Sequence, residues 1–574
     1  MILIRIILIN ILLLNSSTEE PKDKRLFISP VKIPISLSAN FGELRADHFH
    51  SGLDIKTQGV TGKEVVAASS GYVYRIGISP GGFGKALYIR HPSGYITVYG
   101  HLDRFIPEIE DYVKSRQYEN RSFMITLWPG KERFKVKQGD LIAFSGNSGS
   151  SSGPHLHYEI RKSDEELPVN PLLYDFGIED DIKPVFENLL IYPAGRNSEI
   201  NNRDKPFKIK VSGDNGNYNI MPDNEISVYG PAGFGFKAYD LLNNSNNKLA
   251  VFSIQLKVDT LTIYRYVMNE FRFNESRYIN SHIDYEIFQR EDIYVERAFV
   301  LPNDKLGLYS NLVNNGIFNF NDGRKHHIEI TVSDIHNNRS TLRFAVLASP
   351  QTGNVTKTKS DGVNAVLMPY SRNNKFMSKN VVVNLPSGTL YDTLYFDFKM
   401  SPGKPGGYSD IYDIHNRYTP VHKAYNLSIK PENVLAGKES KMLIVQLTDD
   451  MKKIPLLSSW ENGYISANPN FFGRFLIDID TVPPLISLNG YSSGANLKGK
   501  ASMRIKISDD LSGIKSYEPE IDGEWALFEY DQKNNLLIYE FDSKRIRKGT
   551  RHTLFLKVTD NKDNLSKVNF DFIW

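Results

Sequence analysis

The 574-residue sequence contains no cysteine, which removes both disulfide stapling and lipid attachment through an N-terminal cysteine. An excess of charge is lacking too: 69 Lys and Arg stand against 66 Asp and Glu, a net of +3. Bulk electrostatics therefore gives no reason to expect nucleic acid or an anionic membrane as a partner. Long apolar runs are confined to the start, where Met1 to Leu14 is broken only by Arg5 and Asn10 and is followed by Asn15-Ser16-Ser17 and Glu19-Glu20. That stretch is short for a membrane span and reads as an export signal over residues 1–17, with a retained anchor as the alternative. No other segment is long and apolar enough to cross a bilayer, so no stable span is expected once the signal is removed. The expected location is the periplasm, the cell envelope or the outside of the cell.

What is present points to β structure. Aromatics make up 12% of the chain, and with many Asn, Ser and Gly turns they fit several β-rich domains. Val65-Val66-Ala67-Ala68, Tyr72-Val73-Tyr74-Arg75-Ile76, Ala86-Leu87-Tyr88-Ile89-Arg90, Tyr95-Ile96-Thr97-Val98-Tyr99 and Leu156-His157-Tyr158-Glu159-Ile160 read as strands of one antiparallel sheet.

Two short runs carry the chemistry, His50-Ser51-Gly52-Leu53-Asp54 and Gly153-Pro154-His155-Leu156-His157-Tyr158-Glu159, with Tyr99-Gly100-His101 between them. A hydrolytic zinc needs three protein ligands of the His, Asp or Glu type and a fourth position left for water. His50, Asp54 and His157 fit that count. Side chains two apart on a strand leave the same face, so His155 shares a cavity with the ligand His157. His155 and His101 are then near enough to the reacting centre to move a proton or to hold oxyanion charge.

The context of these runs resembles the lysostaphin-type zinc peptidases of family M23. The resemblance is carried by Phe41-Gly42-Glu43, His48-Phe49-His50-Ser51-Gly52-Leu53-Asp54-Ile55, Gly84-Lys85-Ala86-Leu87-Tyr88, Val98-Tyr99-Gly100-His101-Leu102, Val136-Lys137-Gln138-Gly139-Asp140 and Ser145-Gly146-Asn147-Ser148-Gly149 leading into His155-Leu156-His157. It spans residues 40–162, with a longer connection after His101. The resemblance implies an antiparallel β fold, Zn2+ held by His50, Asp54 and His157, and His101 and His155 as the catalytic pair. The implied activity is hydrolysis of peptide cross-links in bacterial peptidoglycan, with direct cross-links of a Gram-negative wall the expected substrate. The alternative is a catalytically inactive wall-binding module or an activator of another hydrolase. A degenerate copy is expected to lack at least one of the five polar positions, and none is lacking here.

Other polar residues take plainer roles. His48 is expected at the surface or behind the ligands, His91 as structural, and His326, His327 and His552 as strand positions. The connection after His101 carries Ile109, Tyr112 and Val113 at helical spacing, a short helix ending near Lys114 that either walls the substrate groove or decorates the surface.

An internal repeat organises the tail: Gly323-Arg324-Lys325-His326, the strand to Asp334 and Asn338-Arg339-Ser340 recur as Gly549-Thr550-Arg551-His552, the strand to Asp560 and Asn564-Leu565-Ser566. These hairpins resemble the last strands of bacterial immunoglobulin-like sandwiches. The expected organisation is mainly β: a signal over 1–17, the peptidase over 25–180, immunoglobulin-like β-sandwich domains over 183–349 and 481–574, and a β-rich domain over 350–480. Asp509-Asp510 and the acidic turn at 560–563 suit calcium but read first as turn residues. Tyr408, Tyr412 and Tyr418 suit either sugar stacking or internal packing. Because every candidate site residue precedes residue 160, the tail is expected to position or restrain the peptidase and to offer surfaces to cell-envelope proteins. A chain ending near Asp181 is then expected to fold and hold zinc alone.

Overall fold

A computed structural model describes residues 23–222, 225–350 and 365–574; the export signal expected over 1–17 lies outside them. The described chain is mainly β, and no described helix is long and apolar enough to cross a membrane.

The first sheet is built from β1 (Leu37–Ala39), β2 (Leu53–Lys56), β3 (Glu64–Val66), β4 (Gly71–Ile78), β5 (Lys85–Arg90), β6 (Tyr95–Phe105), then α1 (Pro107–Asn120), β7 (Ile125–Leu127), β8 (Lys135–Val136), β9 (Leu141–Ser145), β10 (His155–Lys162) and β11 (Leu167–Val169). Its order is β1-β2-β10-β6-β5-β4-β7, antiparallel throughout. β10 is therefore central, held between β2 and β6. Its apolar side chains, Leu156, Tyr158 and Ile160, are wholly buried in the core with Leu53, Ile55, Leu87 and Tyr99. The alternate set, His155, His157, Glu159 and Arg161, lies on the opposite face.

α1 is longer than the short helix expected from the sequence. Pro107 starts it, where a missing N–H costs nothing. Beyond Val113 the buried stripe continues through Gln117, whose amide donates to the Phe123 carbonyl at 2.7 Å. A polar residue thus holds the third position of the stripe, invisible to a purely apolar pattern.

Three further β units follow. Strands between Val185 and Ala348 form one twelve-stranded sheet over its own core. Residues 366–479 form two five-stranded sheets and a two-stranded one, and residues 485–573 a five-stranded sheet beside a four-stranded one. The repeat read from the sequence is structural. Asn338 and Asn564 each close the turn with backbone N–H to aspartate Oδ1 at 2.8 Å and side-chain amide to Oδ2 at 2.7 Å. His326 and His552, buried, bond Asp259 and Asp522 at matching places. Tyr412 belongs to the core of its unit, which removes it as a sugar platform.

The units are not strung out. Phe41 and Phe49, from the segment ahead of β2, are 1% exposed and belong to the core of the 185–348 unit. The last unit folds back onto the first: Lys114 pairs with Asp542 at 2.9 Å and Tyr118 meets Trp525 edge to face at 5.2 Å. The outer side of α1 is thus a seat for the C-terminal unit, neither a groove wall nor a decoration.

Candidate metal centre

β2 and β10 pair so that Asp54 lies directly opposite His157, and cross-strand partners on one face touch. His50 reaches the same point from the loop ahead of β2. Gly52 is required there, because a Cβ at that position would stand 2.3 Å from the Tyr158 carbonyl oxygen. The three ligand atoms form a tight triangle: His50 Nε2 to Asp54 Oδ1 is 3.0 Å, His157 Nδ1 to Asp54 Oδ1 is 2.9 Å and His50 Nε2 to His157 Nδ1 is 3.1 Å. All three residues are buried.

The outward ring nitrogens fix the tautomers. His50 Nδ1 donates to the Asn40 carbonyl at 2.8 Å, and His157 Nε2 to Glu159 Oε1 at 2.9 Å. Each therefore turns a lone pair toward the other and toward a carboxylate. Two lone pairs and an anion facing one another want a cation. The edges are close to the roughly 3.3 Å of a tetrahedron with zinc–nitrogen bonds of about 2.0–2.1 Å. The residues therefore fit a metal ion of the zinc type. When a proton takes that place, burial opposes it but Asp54 and Glu159 prevail and push His157 up to about 9. Metal binding must displace this proton.

His101 and His155 flank the triangle. Their rings are 4.8 Å apart, and His155 Nε2 lies 3.4 Å from Asp54 Oδ1 with no hydrogen-bond partner of its own. His155 Nδ1 is held by the Gly153 carbonyl at 2.9 Å and His101 Nδ1 by the Ser148 carbonyl at 2.9 Å. His101 sits at a φ of 58°, a conformation that costs about 1 kcal/mol or more for a residue with a side chain. Against β5 the register of β6 slips between Tyr99 and Leu102, and this bulge at His101 turns the ring toward the site. Burial, reinforced by His157 and His155, pushes His101 down to about 3. The loop carrying Ser148 is pinned by Gly149, whose φ of 69° and 2.3 Å approach of a Cβ to the Gly84 nitrogen exclude other residues. All five residues expected from the sequence come together, while His48 is exposed and paired with Asp47 and His91 is buried against Thr97.

Sequence reasoning gave no role to Glu159, Arg161, Ser51 or Arg45. Glu159 accepts from His157, from the Ser51 hydroxyl at 2.5 Å and from Arg161 Nε at 2.5 Å. Burial opposes its charge, but the Arg161 guanidinium with His157 holds it down to about 2. Arg45 reaches Asp54 Oδ2 at 3.3 Å. Phe83 stacks on the His157 ring at 4.8 Å. The C-terminal unit touches the Ser148 loop and β5 as well, Lys533 Nζ donating to the Ser151 carbonyl at 2.9 Å and Glu529 pairing with Lys85 at 2.9 Å.

Residues 48–118 and 129–171 match peptidase family M23, and residues 365–480 match the Zu5-like domain. An uncharacterized metalloprotease of Haemophilus influenzae is 35% identical over 123 residues, 21% of this chain and 20% of that protein. The DD-carboxypeptidase/endopeptidase Mpg of Neisseria meningitidis is 32% identical over 123 residues, 21% and 22% of the two chains, and the murein hydrolase activator NlpD of Salmonella dublin is 30% identical over 135, 24% and 28%. The chain thus spans about a fifth to a quarter of these relatives' length. Among solved structures, the catalytic domain of the M23 protein EnpA from Enterococcus faecalis is 28% identical, with 25% of this chain and 92% of that one covered at a TM-score of 0.19. A zinc-containing peptidase from Vibrio cholerae is 27% identical, covering 26% and 41% at a TM-score of 0.20. Between residues 48 and 171 this chain carries a metallopeptidase domain of family M23, followed by C-terminal β domains of which one is Zu5-like.

Proposed function

We propose that the chain is an exported zinc endopeptidase that hydrolyses peptide cross-links of peptidoglycan. The observation that carries this reading is the convergence of His50, Asp54 and His157 with two further histidines whose second ring nitrogens are uncommitted. Zinc bound there would supply Lewis acidity toward the scissile carbonyl and a water acidic enough to ionise near neutral pH.

The chain's own residues do the rest. His101, kept neutral by burial, takes up a proton at its free Nε2. His155 offers its free Nε2 beside Asp54, where it donates to oxyanion charge once protonated. Glu159 keeps His157 in the tautomer that presents Nδ1, and Arg161 and Ser51 keep Glu159 in place.

Alanine at His101 or His155 is expected to leave zinc bound and to lower turnover by about two to four decades. Elemental analysis beside steady-state rates checks this, and near-normal rates would return both histidines to structure. Glu159→Gln should weaken zinc about 10- to 100-fold without removing it, read by competition with a chelating dye; unchanged affinity would show that Glu159 does not hold the ring. The activator reading draws on likeness to the Salmonella protein named as a murein hydrolase activator. Mass spectrometry of products from sacculi incubated with the purified chain separates the two. New peptide termini at cross-links support the peptidase, and an unchanged muropeptide profile with zinc bound supports the activator.

A further inference from the structure

Two other groups of side chains among the described residues bring metal-ligating atoms together: Asp180 with Asp334 and His336, and Asp480 with Asp509 and Asp560. They occupy equivalent places in the internal repeat. In each, the aspartate four residues ahead of Pro184 or Pro484 docks on the repeat's Asp-x-x-x-Asn turn. The Asn338 side chain donates to the Asp180 carbonyl at 3.0 Å, and that of Asn564 to the Asp480 carbonyl at 3.1 Å. Asp180 belongs to the link out of the peptidase domain, Asp334 to the unit that follows.

The two clusters differ in counter-charge. Where the second copy has Lys562, the first has His336. The Lys562 ammonium feels Asp480 and Asp560, and Lys441 Nζ donates to Asn564 Oδ1 at 2.8 Å, so basic groups stand beside the second cluster. In the first, the charged groups acting on Asp240 are Asp334 and Asp180, both of its own sign.

Asp180 and Asp240 show what this cluster wants. The Asp180 side chain is fully buried; Oδ1 accepts the Ile182 N–H at 3.1 Å, while Oδ2, 3.9 Å from His336 Nδ1, has no hydrogen-bond partner. Asp240, 4% exposed, has a buried Oδ1 without a partner. Burial and mutual repulsion push Asp240 up to about 8, and burial and Asp180 push Asp334 up to about 7. Carboxylates withdrawn from water side by side demand a cation or protons. The ligand atoms of Asp180, Asp334 and His336 lie within 4.8 Å of one another. That is the widest separation of two ligands on one calcium ion, at about 2.4 Å each.

We propose that Asp180 and Asp334 bind a calcium ion at the joint between the peptidase domain and the unit that follows it, the buried Asp240 carboxylate adding to the charge that draws it. Oxygen ligands select a hard cation, and the partly exposed His336 stands at the rim without being needed. Because the ligands come from both sides of the joint, the ion fixes how the peptidase is carried.

The test uses the full chain, stripped of metal, reloaded with zinc and titrated with calcium. Thermal unfolding is expected to shift up by roughly 5 °C at about 1 mM calcium, in line with the millimolar-range affinities of extracellular calcium modules. Asp180→Asn should abolish that shift and Asp240→Asn should diminish it, both unfolding, without calcium, at or above the parent's temperature, since each removes repulsion and Asn at 180 can keep the bond to Ile182. His336→Ala should keep the shift. No calcium-dependent shift in the parent would overturn the proposal and leave protons as the occupants. A shift that survives Asp180→Asn or is undiminished in Asp240→Asn, or one produced by zinc and lost with His336, would overturn it as well.

Discussion

Alanine in place of His157 or Asp54 is expected to eliminate stoichiometric zinc and all measurable turnover while leaving the circular dichroism spectrum intact. The sheet does not depend on these side chains: β10 is held through its other face by Leu156, Tyr158 and Ile160, none of them measurably exposed. Loss of His157 leaves Glu159 with Arg161 and Ser51, so no buried charge is stranded. Loss of Asp54 removes the only carboxylate of the triangle and frees Arg45 to rest on Glu43, 3.1 Å away. Either change leaves two ligands, which hold zinc far more weakly than three on one rigid face. Zinc would make the attacking water acidic enough to ionise near neutral pH, and without it no side chain at the site replaces that activation. Elemental analysis, spectroscopy and rate measurement on one preparation decide the matter, and stoichiometric zinc in either variant would remove that residue from the ligand set.

Within each run the candidate residues were legible because their geometry is local, whereas the meeting of the two runs with His101 was read from the family resemblance. His50 and Asp54 are joined by one tight turn that only Gly52 permits, and His155 and His157 by the two-residue period of a strand. The same period contained the role of Glu159 and Arg161, which continue the polar face of β10 while Leu156, Tyr158 and Ile160 continue the apolar one. Read as a four-residue polar stripe, that strand announces both ligand and support. Phe41, Phe49 and Asn40 carried no comparable signal. Their partners Phe271, Ser276 and Ala250 stand more than two hundred residues away in sequence, and no spacing rule links them. The Zu5-like unit over 365–480 was legible only as β-rich, since alternation gives strands and not their assembly.

That missed contact revises the expectation for a chain ending near Asp181, which should fold poorly and bind zinc weakly. The loop carrying His50 is anchored at both ends in the unit that such a chain lacks. Phe41 and Phe49 pack on Phe271, with ring centroids at 5.2 and 5.8 Å. The Asn40 side chain exchanges two hydrogen bonds with Ala250, each 2.9 Å, and the Phe49 N–H donates to Ser276 Oγ at 2.8 Å. The Asn40 carbonyl in turn holds His50 Nδ1. Each exposed Phe forfeits roughly 1.5–3 kcal/mol and each lost hydrogen bond roughly 0.5–1.5 kcal/mol. Together they approach the whole stability of an average domain, about 5–15 kcal/mol. In the full chain Phe271→Ala removes the shared ring alone, at a cost of about 3–5 kcal/mol, and should lower zinc affinity through His50 without touching any ligand. Calorimetric unfolding and zinc competition on the shortened chain and on this variant read the effect. Unfolding temperature and zinc affinity equal to those of the full chain in both would show that the metal site stands on the first sheet alone.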